Sequence, residues 1–191
     1  ATVGPLGSTS TGTELTSGAT LDFGGFGVNI EPVSIIGTGV GGNGALVNSG
    51  GEQINAVRFL TLTGNASIGA TANRYDIRGA SAGSPGTLDM NNHTLTKTGS
   101  GYVAIVHTTV NPGTGHIDIA GGSLGLHATN TLNGSASNTI TVRNTATLDC
   151  FQTGTWNNPG WAVLMDAGST VTNSSGTAAG EGPGTLNGAA D

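Results

Sequence analysis

Charge is what this chain lacks most. Only 8% of its 191 residues are charged, lysine occurs once (Lys97), and five cations against eleven acids leave a net charge of −6. So few cations exclude nucleic acid and anionic membrane surfaces as partners, because both are held by clustered Lys and Arg. A single cysteine, Cys150, excludes an internal disulfide; alternating with Leu148, it is expected to point inward as a small apolar group. No apolar run reaches the roughly 18 residues of a membrane span, and no heptad pattern is present. Aromatic residues make up only 4%, so any core must be built from aliphatic side chains.

Glycine is abundant instead, with 35 residues, alongside many Thr, Ser and Asn. These are poor helix formers, and no Ala/Leu/Glu/Lys-rich stretch offsets them. Mean hydropathy is close to zero, which separates the chain from disordered sequences of high net charge. An all-β fold follows.

Short strand-like runs recur between turn residues, among them YDIRG (75–79), GTLDM (86–90), HTLTK (93–97), HIDIAG (116–121), NTITV (138–142) and ATLDC (146–150). Two interleaved apolar series run through them. One is Ile54, Ile77, Leu95, Ile117, Ile140, Val163 and Leu186; the other is Phe23, Leu46, Ile68, Leu88, Ile105, Leu126, Leu148 and Val171. Most steps in both fall between 20 and 23 residues. A period in the twenties is the mark of a solenoid, in which each coil buries its apolar face against its neighbours. Two series per period predict at least two strands per coil. The whole chain, 1–191, is expected to form one parallel β-helix of about eight coils, roughly 40 Å long at the usual strand spacing.

Residues 86–126, GTLDMNNHTLTKTGSGYVAIVHTTVNPGTGHIDIAGGSLGL, resemble the autotransporter-associated β-strand repeats of bacterial secreted proteins. The shared grammar is G-T-L, then L-T-K-x-G-x-G, then G-x-L, and it covers about two coils. In type, size and composition the chain is also similar to the β-helical carbohydrate-binding modules attached to bacterial xylanases. These resemblances imply a right-handed parallel β-helix, secretion, and binding of a plant polysaccharide such as xylan. They imply a monomeric module joined to a catalytic domain, and the start ATVGPLG reads as a cut from a longer precursor.

An enzyme on this scaffold would need a base with acidic calcium ligands, or two carboxylates about 5 to 9 Å apart. No adjacent Asp pair, Gly-His-Gly or Arg-x-Lys occurs. Aligning coils on the first series sets Asp76 beside His116 and Arg78 beside Asp118, all facing outward with Tyr102 nearby. Such a stripe offers charge-assisted hydrogen bonds to vicinal sugar hydroxyls, or is simply a solvated face. The repeated T-L-D at Asp22, Asp89 and Asp149 reads as a structural position. His93, His107, His116 and His127 lack metal-ligand spacing, so no metal and no cofactor is expected. Thr-x-Thr pairs at 61–63, 94–96, 139–141 and 170–172 are too interrupted by charge for an ice-binding face.

Both tryptophans fall in FQTGTWNNPGWAVLM (151–165). Trp156 sits among Gly154, Thr155, Asn157 and Asn158 with no apolar neighbour, and is expected to protrude. An indole face receives the C–H face of a pyranose, and flanking amides both donate to and accept from hydroxyls. Trp161 shares the parity of the core series, so it either closes a corner or supports Trp156. The reading is a non-catalytic polysaccharide-binding module with Trp156, Trp161, Asn157 and Asn158 as one surface. Asp76, Arg78, Tyr102, His116 and Asp118 form the other. The rival is a structural adhesin stalk with no small ligand.

Overall fold

A computed structural model describes residues 3–127, 130–151 and 160–175. The chain winds as a parallel β-solenoid with essentially no helix. Each turn lies on the one before, so residues twenty to thirty apart become hydrogen-bonded neighbours. The column Leu21, Leu46, Ile68, Lys97, Ile119, Val142 and Met165 passes through seven rungs by direct Cα pairing. That makes about seven turns among the described residues; Leu186, the last member of the first expected series, lies outside them.

Three strands form each full turn, within the expectation of at least two. The first face stacks Leu46–Asn48, Leu95–Thr98, Ile117–Ile119, Thr139–Val142 and Ala162–Met165. The second stacks Tyr75–Arg78, Tyr102–Val106, Ser123–Leu126, Thr147–Asp149 and Thr170–Thr172. The third stacks Asn29–Gly37, Gly86–Asp89, Thr108–Asn111 and Thr131–Leu132. The long strand Gln53–Ala70 crosses all three, pairing Val57 with Ile77, Leu60 with Leu88 and Ile68 with Lys97.

The expected series are therefore real in part. Leu95, Ile117, Ile140 and Val163 are successive partners, as are Leu46 and Ile68, Ile105 and Leu126, and Leu148 and Val171. Ile77 does not precede Leu95; it pairs with Ile105 on another face. Leu88 belongs to a third column with Leu60, Val110 and Leu132. Two insertions at corners cause the slippage. Leu60 to Leu88 spans 28 residues but Leu88 to Val110 only 22, because a tab closed by a Ser81–Ser84 bridge lies between Gly79 and Gly86. Likewise Val33 to Leu60 spans 27 but Leu46 to Ile68 spans 22, across the 3-10 turn Val40–Gly42.

Alternation gives the stability. Ile77, Leu88, Leu95, Ile105, Ile117, Leu124, Ile140 and Leu148 are fully buried inside the coil, each contributing about 1.5–3 kcal/mol by removal from water. Cys150 is buried with them. The T-L-D aspartates lie on three different faces, and each ties its strand to the next turn. Asp22 accepts from the backbone and hydroxyl of Ser49, Asp149 does the same with Ser174, and Asp89 accepts from Asn111.

Candidate functional site

On the outer side of the second face, side chains alternate with the core. Register places Asp76, Ala104, Gly125 and Asp149 in one outward column. The two small residues in its middle leave a trough, and Tyr102 lies across it. Its hydroxyl donates to the Asp149 carboxylate at 2.8 Å, passing over Gly125, where an added Cβ would stand 2.0 Å from that oxygen. Arg74 covers the Tyr102 ring at 5.5 Å and holds Asp76 with two nitrogens, while Arg78 holds Asp76 from the other side at 2.9 Å. Asp76 is 0% exposed beneath the two guanidiniums.

The neighbouring outward position carries His127, whose ring stacks on Phe151 at 4.4 Å between centroids. Burial, then Arg74 and Arg78, pull the His127 pKa down to about 4, so the imidazole is neutral at ordinary pH. A neutral imidazole on a phenyl ring makes one aromatic surface. Nε2 of His127 and Nδ1 of His107 are buried with no hydrogen-bond partner among the described residues.

Trp156, Asn157 and Asn158 lie outside the described residues; Phe151 is the last described residue before them. Trp161 is 0% exposed, and its indole N–H donates to the Asn133 carbonyl at 2.8 Å. It closes a corner and offers no face to a ligand. Its parity with the core series pointed that way. The stripe of Asp76, Arg78, His116 and Asp118 is divided between two faces. Asp76 and Arg78 pair with Ala104 and Val106 on the second, whereas Asp118 pairs with Thr96 and Thr141 on the first. The corner insertion at 79–86 displaced the alignment by six residues. Asp118 is engaged by Arg143 through two bonds, and His116 Nδ1 faces the Thr139 amide and hydroxyl. Tyr102 does lie with Asp76 and Arg78, but its ring is covered and its hydroxyl committed.

A second feature adjoins this face. A cleft of about 390 Å3 opens where the second face meets the third, lined by Asn29, Ile30, Asn55, Arg58, Arg78 and Ala80. Because Val57 pairs with Ile77, Arg58 and Arg78 are neighbours on adjacent turns. Arg58 also donates to the Ser84 hydroxyl and to the Ser84 and Pro85 carbonyls of the tab. Val28 donates to Ala56, which sets Phe26 level with Ile54 one turn on. Phe26 is 79% exposed, and Ile30 and Ile54 are exposed as well. Arg78 joins the two features, bonding Asp76 on one side and lining the cleft on the other.

Asn29, Asn55, Arg58 and Phe26 were not singled out by sequence reasoning. The signal for Phe26 was available: it stands in FGGFG, an aromatic among glycines, by the same logic that made Trp156 a candidate. Among the described residues no group of three His, Cys, Asp or Glu side chains is placed to hold a metal.

Gly125→Ala tests the trough. The added methyl is expected to expel the Tyr102 hydroxyl and cost about 1–3 kcal/mol through the orphaned Asp149 bond. The Tyr102 phenol, raised above its ordinary 10 by burial and by Asp149, should then titrate closer to that value in near-ultraviolet absorbance. An unchanged titration would mean the ring does not cross Gly125.

No family model, no curated protein and no solved structure matches the chain.

Proposed function

We propose that this β-helix is a non-catalytic carbohydrate-binding module for a plant cell-wall polysaccharide such as xylan. In this reading it is a secreted, bacterial module, monomeric and joined to a catalytic domain. The observation that carries it is the corner cleft: exposed apolar faces (Phe26, Ile30, Ile54) stand beside two amides and two guanidiniums. Sugars need that pairing, because a pyranose has an apolar C–H face and a rim of hydroxyls. The long axis suits a polymer, since turns repeating at about 4.8 Å offer successive contacts along one chain.

A binding role is favoured over hydrolysis by the state of the carboxylates. Asp76 is shared by two arginines, and Asp149 accepts from Tyr102 and Ser174. Carboxylates so committed are poorly placed to move a proton at a glycosidic oxygen. The same commitment favours the second reading, a stalk of the autotransporter type whose polar groups serve only the rod.

Pull-down on insoluble xylan and on cellulose separates the two. The module should sediment with xylan, and a stalk should stay in the supernatant. Trp156→Ala should abolish retention, and Phe26→Ala should weaken it at least about tenfold. Circular dichroism should stay unchanged in both. Wild-type protein that remains in the supernatant overturns the reading.

A further inference from the structure

The cleft has a charge pattern that a neutral sugar does not explain. Two of the chain's four arginines, Arg58 and Arg78, stand one above the other on adjacent turns, and no acidic side chain lines the cleft among the described residues. Like charges directly opposed on neighbouring strands are destabilising. The nearest relief is partial. Asp76 is the one described carboxylate within ion-pair distance of Arg78, and Arg74 already holds it with two bonds. Arg58 has no carboxylate within that distance among the described residues; its bonds go to the neutral Ser84 and Pro85 groups. Two guanidiniums therefore share one carboxylate, and a third beside them has none among the described residues, in a protein whose net charge is −6.

The location of that excess is informative. Arg143, the remaining arginine, is paired with Asp118 and Asp166 on another face. The tab closed by Ser81 and Ser84 lies against Arg58 and fixes its guanidinium, leaving Asn29 and Asn55 exposed at the rim. Cations held at fixed spacing with amide donors alongside suit a planar anion that accepts several hydrogen bonds, which is the chemistry of a carboxylate.

We infer that the Arg58–Arg78 cleft binds the carboxylate of a uronic acid residue, so that the preferred polysaccharide is acidic. This rests on the polysaccharide-binding reading and narrows it. The ligand class is a glycan carrying glucuronate or galacturonate, with the sugar ring against Phe26, Ile30 and Ile54 and its carboxylate between the arginines.

Affinity gels test it with glucuronoxylan and with the same polymer after its carboxyls are reduced to alcohols. Wild type should be retarded by glucuronoxylan at least about tenfold more than by the reduced polymer, and 0.5 M salt should erase the difference. Asn55→Asp places a carboxylate at the exposed rim without touching the core. It should cut glucuronoxylan binding about tenfold and leave binding to the reduced polymer unchanged. Arg58→Gln should do the same, and Arg58→Lys should recover part of the loss. Galacturonan in a third gel tells which uronate is preferred; retardation there, lost in Asn55→Asp, supports the inference too. Equal retardation of wild type by native and reduced polymer overturns this inference but leaves the polysaccharide reading standing. No retardation by any polymer overturns both.

Discussion

Trp161→Ala is expected to remove about 3–5 kcal/mol of stability, the usual range for deleting a wholly buried indole. The side chain fills the corner between Thr131–Leu132 and Ala162–Met165, where its N–H meets the Asn133 carbonyl. Space there is tight. A Cβ on Gly134 would meet the indole nitrogen at 2.8 Å and the Asn138 side chain at 2.5 Å. The alanine variant leaves both a void and an acceptor without its donor.

Because a solenoid is held by nearest-neighbour contacts, that loss should be local. Hydrogen exchange should show protection vanishing at Ala162–Met165 and Thr170–Thr172 while Leu95–Thr98 keeps its own. An unchanged denaturation midpoint, with protection kept at Ala162–Met165, would return Trp161 to the surface.

The contrast between the tryptophans shows what could be read from the sequence and what could not. Parity along a strand is local, so it placed Trp161 and Cys150 on the inner side, but it failed at Ile54, which the first series counts as inward and which is exposed because the register slips between Gln53 and Val57. The period was also legible, because apolar residues must recur for each turn to cover the last. Stacking between turns was less so. It depends on how many residues each corner consumes, and corners accept extra residues without changing the rungs they connect. The steps of 18 from Ile77 to Leu95 and 17 from Leu88 to Ile105 mark where the series jumped from one face to another. A three-sided coil requires such jumps once two sides have been assigned. Asp76 and Asp118 were joined by the error, and the neighbourhood of Arg58 and Arg78 was missed. Their pairing spans 20 residues in a region where neighbouring rungs span 27 or 28.

Lysine inside an apolar column is the one local contradiction that no pattern anticipates. Lys97 stands between Ile68 and Ile119, is 0% exposed, and donates to the carbonyls of Thr98, Gly99 and Gly121 at 2.9–3.0 Å. Three carbonyls satisfy all three ammonium donors, and the third belongs to the next turn, so the side chain staples two rungs. Lys97→Met keeps the length of the stem and removes the donors. It is expected to cost about 2–4 kcal/mol at pH 6, because several acceptors lose their partner at once.

The pH dependence gives a sharper signature. Burial pulls the ammonium from its ordinary 10.5 down to about 8. Between those values the unfolded chain keeps a proton that the folded chain has released, so stability should rise with pH in that window. Cys150 works the other way: burial pushes its thiol up to about 11 from 9.0, so above pH 9 the unfolded state loses a proton that the folded state retains. Urea denaturation of the wild type should therefore show stability climbing from pH 7.5 to 9 and flattening beyond. In Cys150→Ala the climb should continue toward pH 10. In Lys97→Met it should be absent, the gap between wild type and Lys97→Met widening by about 2 kcal/mol across the window. A gap that stays constant from pH 7.5 to 10 would mean that the three carbonyls hold the ammonium as well as water does, and that burial at this rung costs the charge nothing.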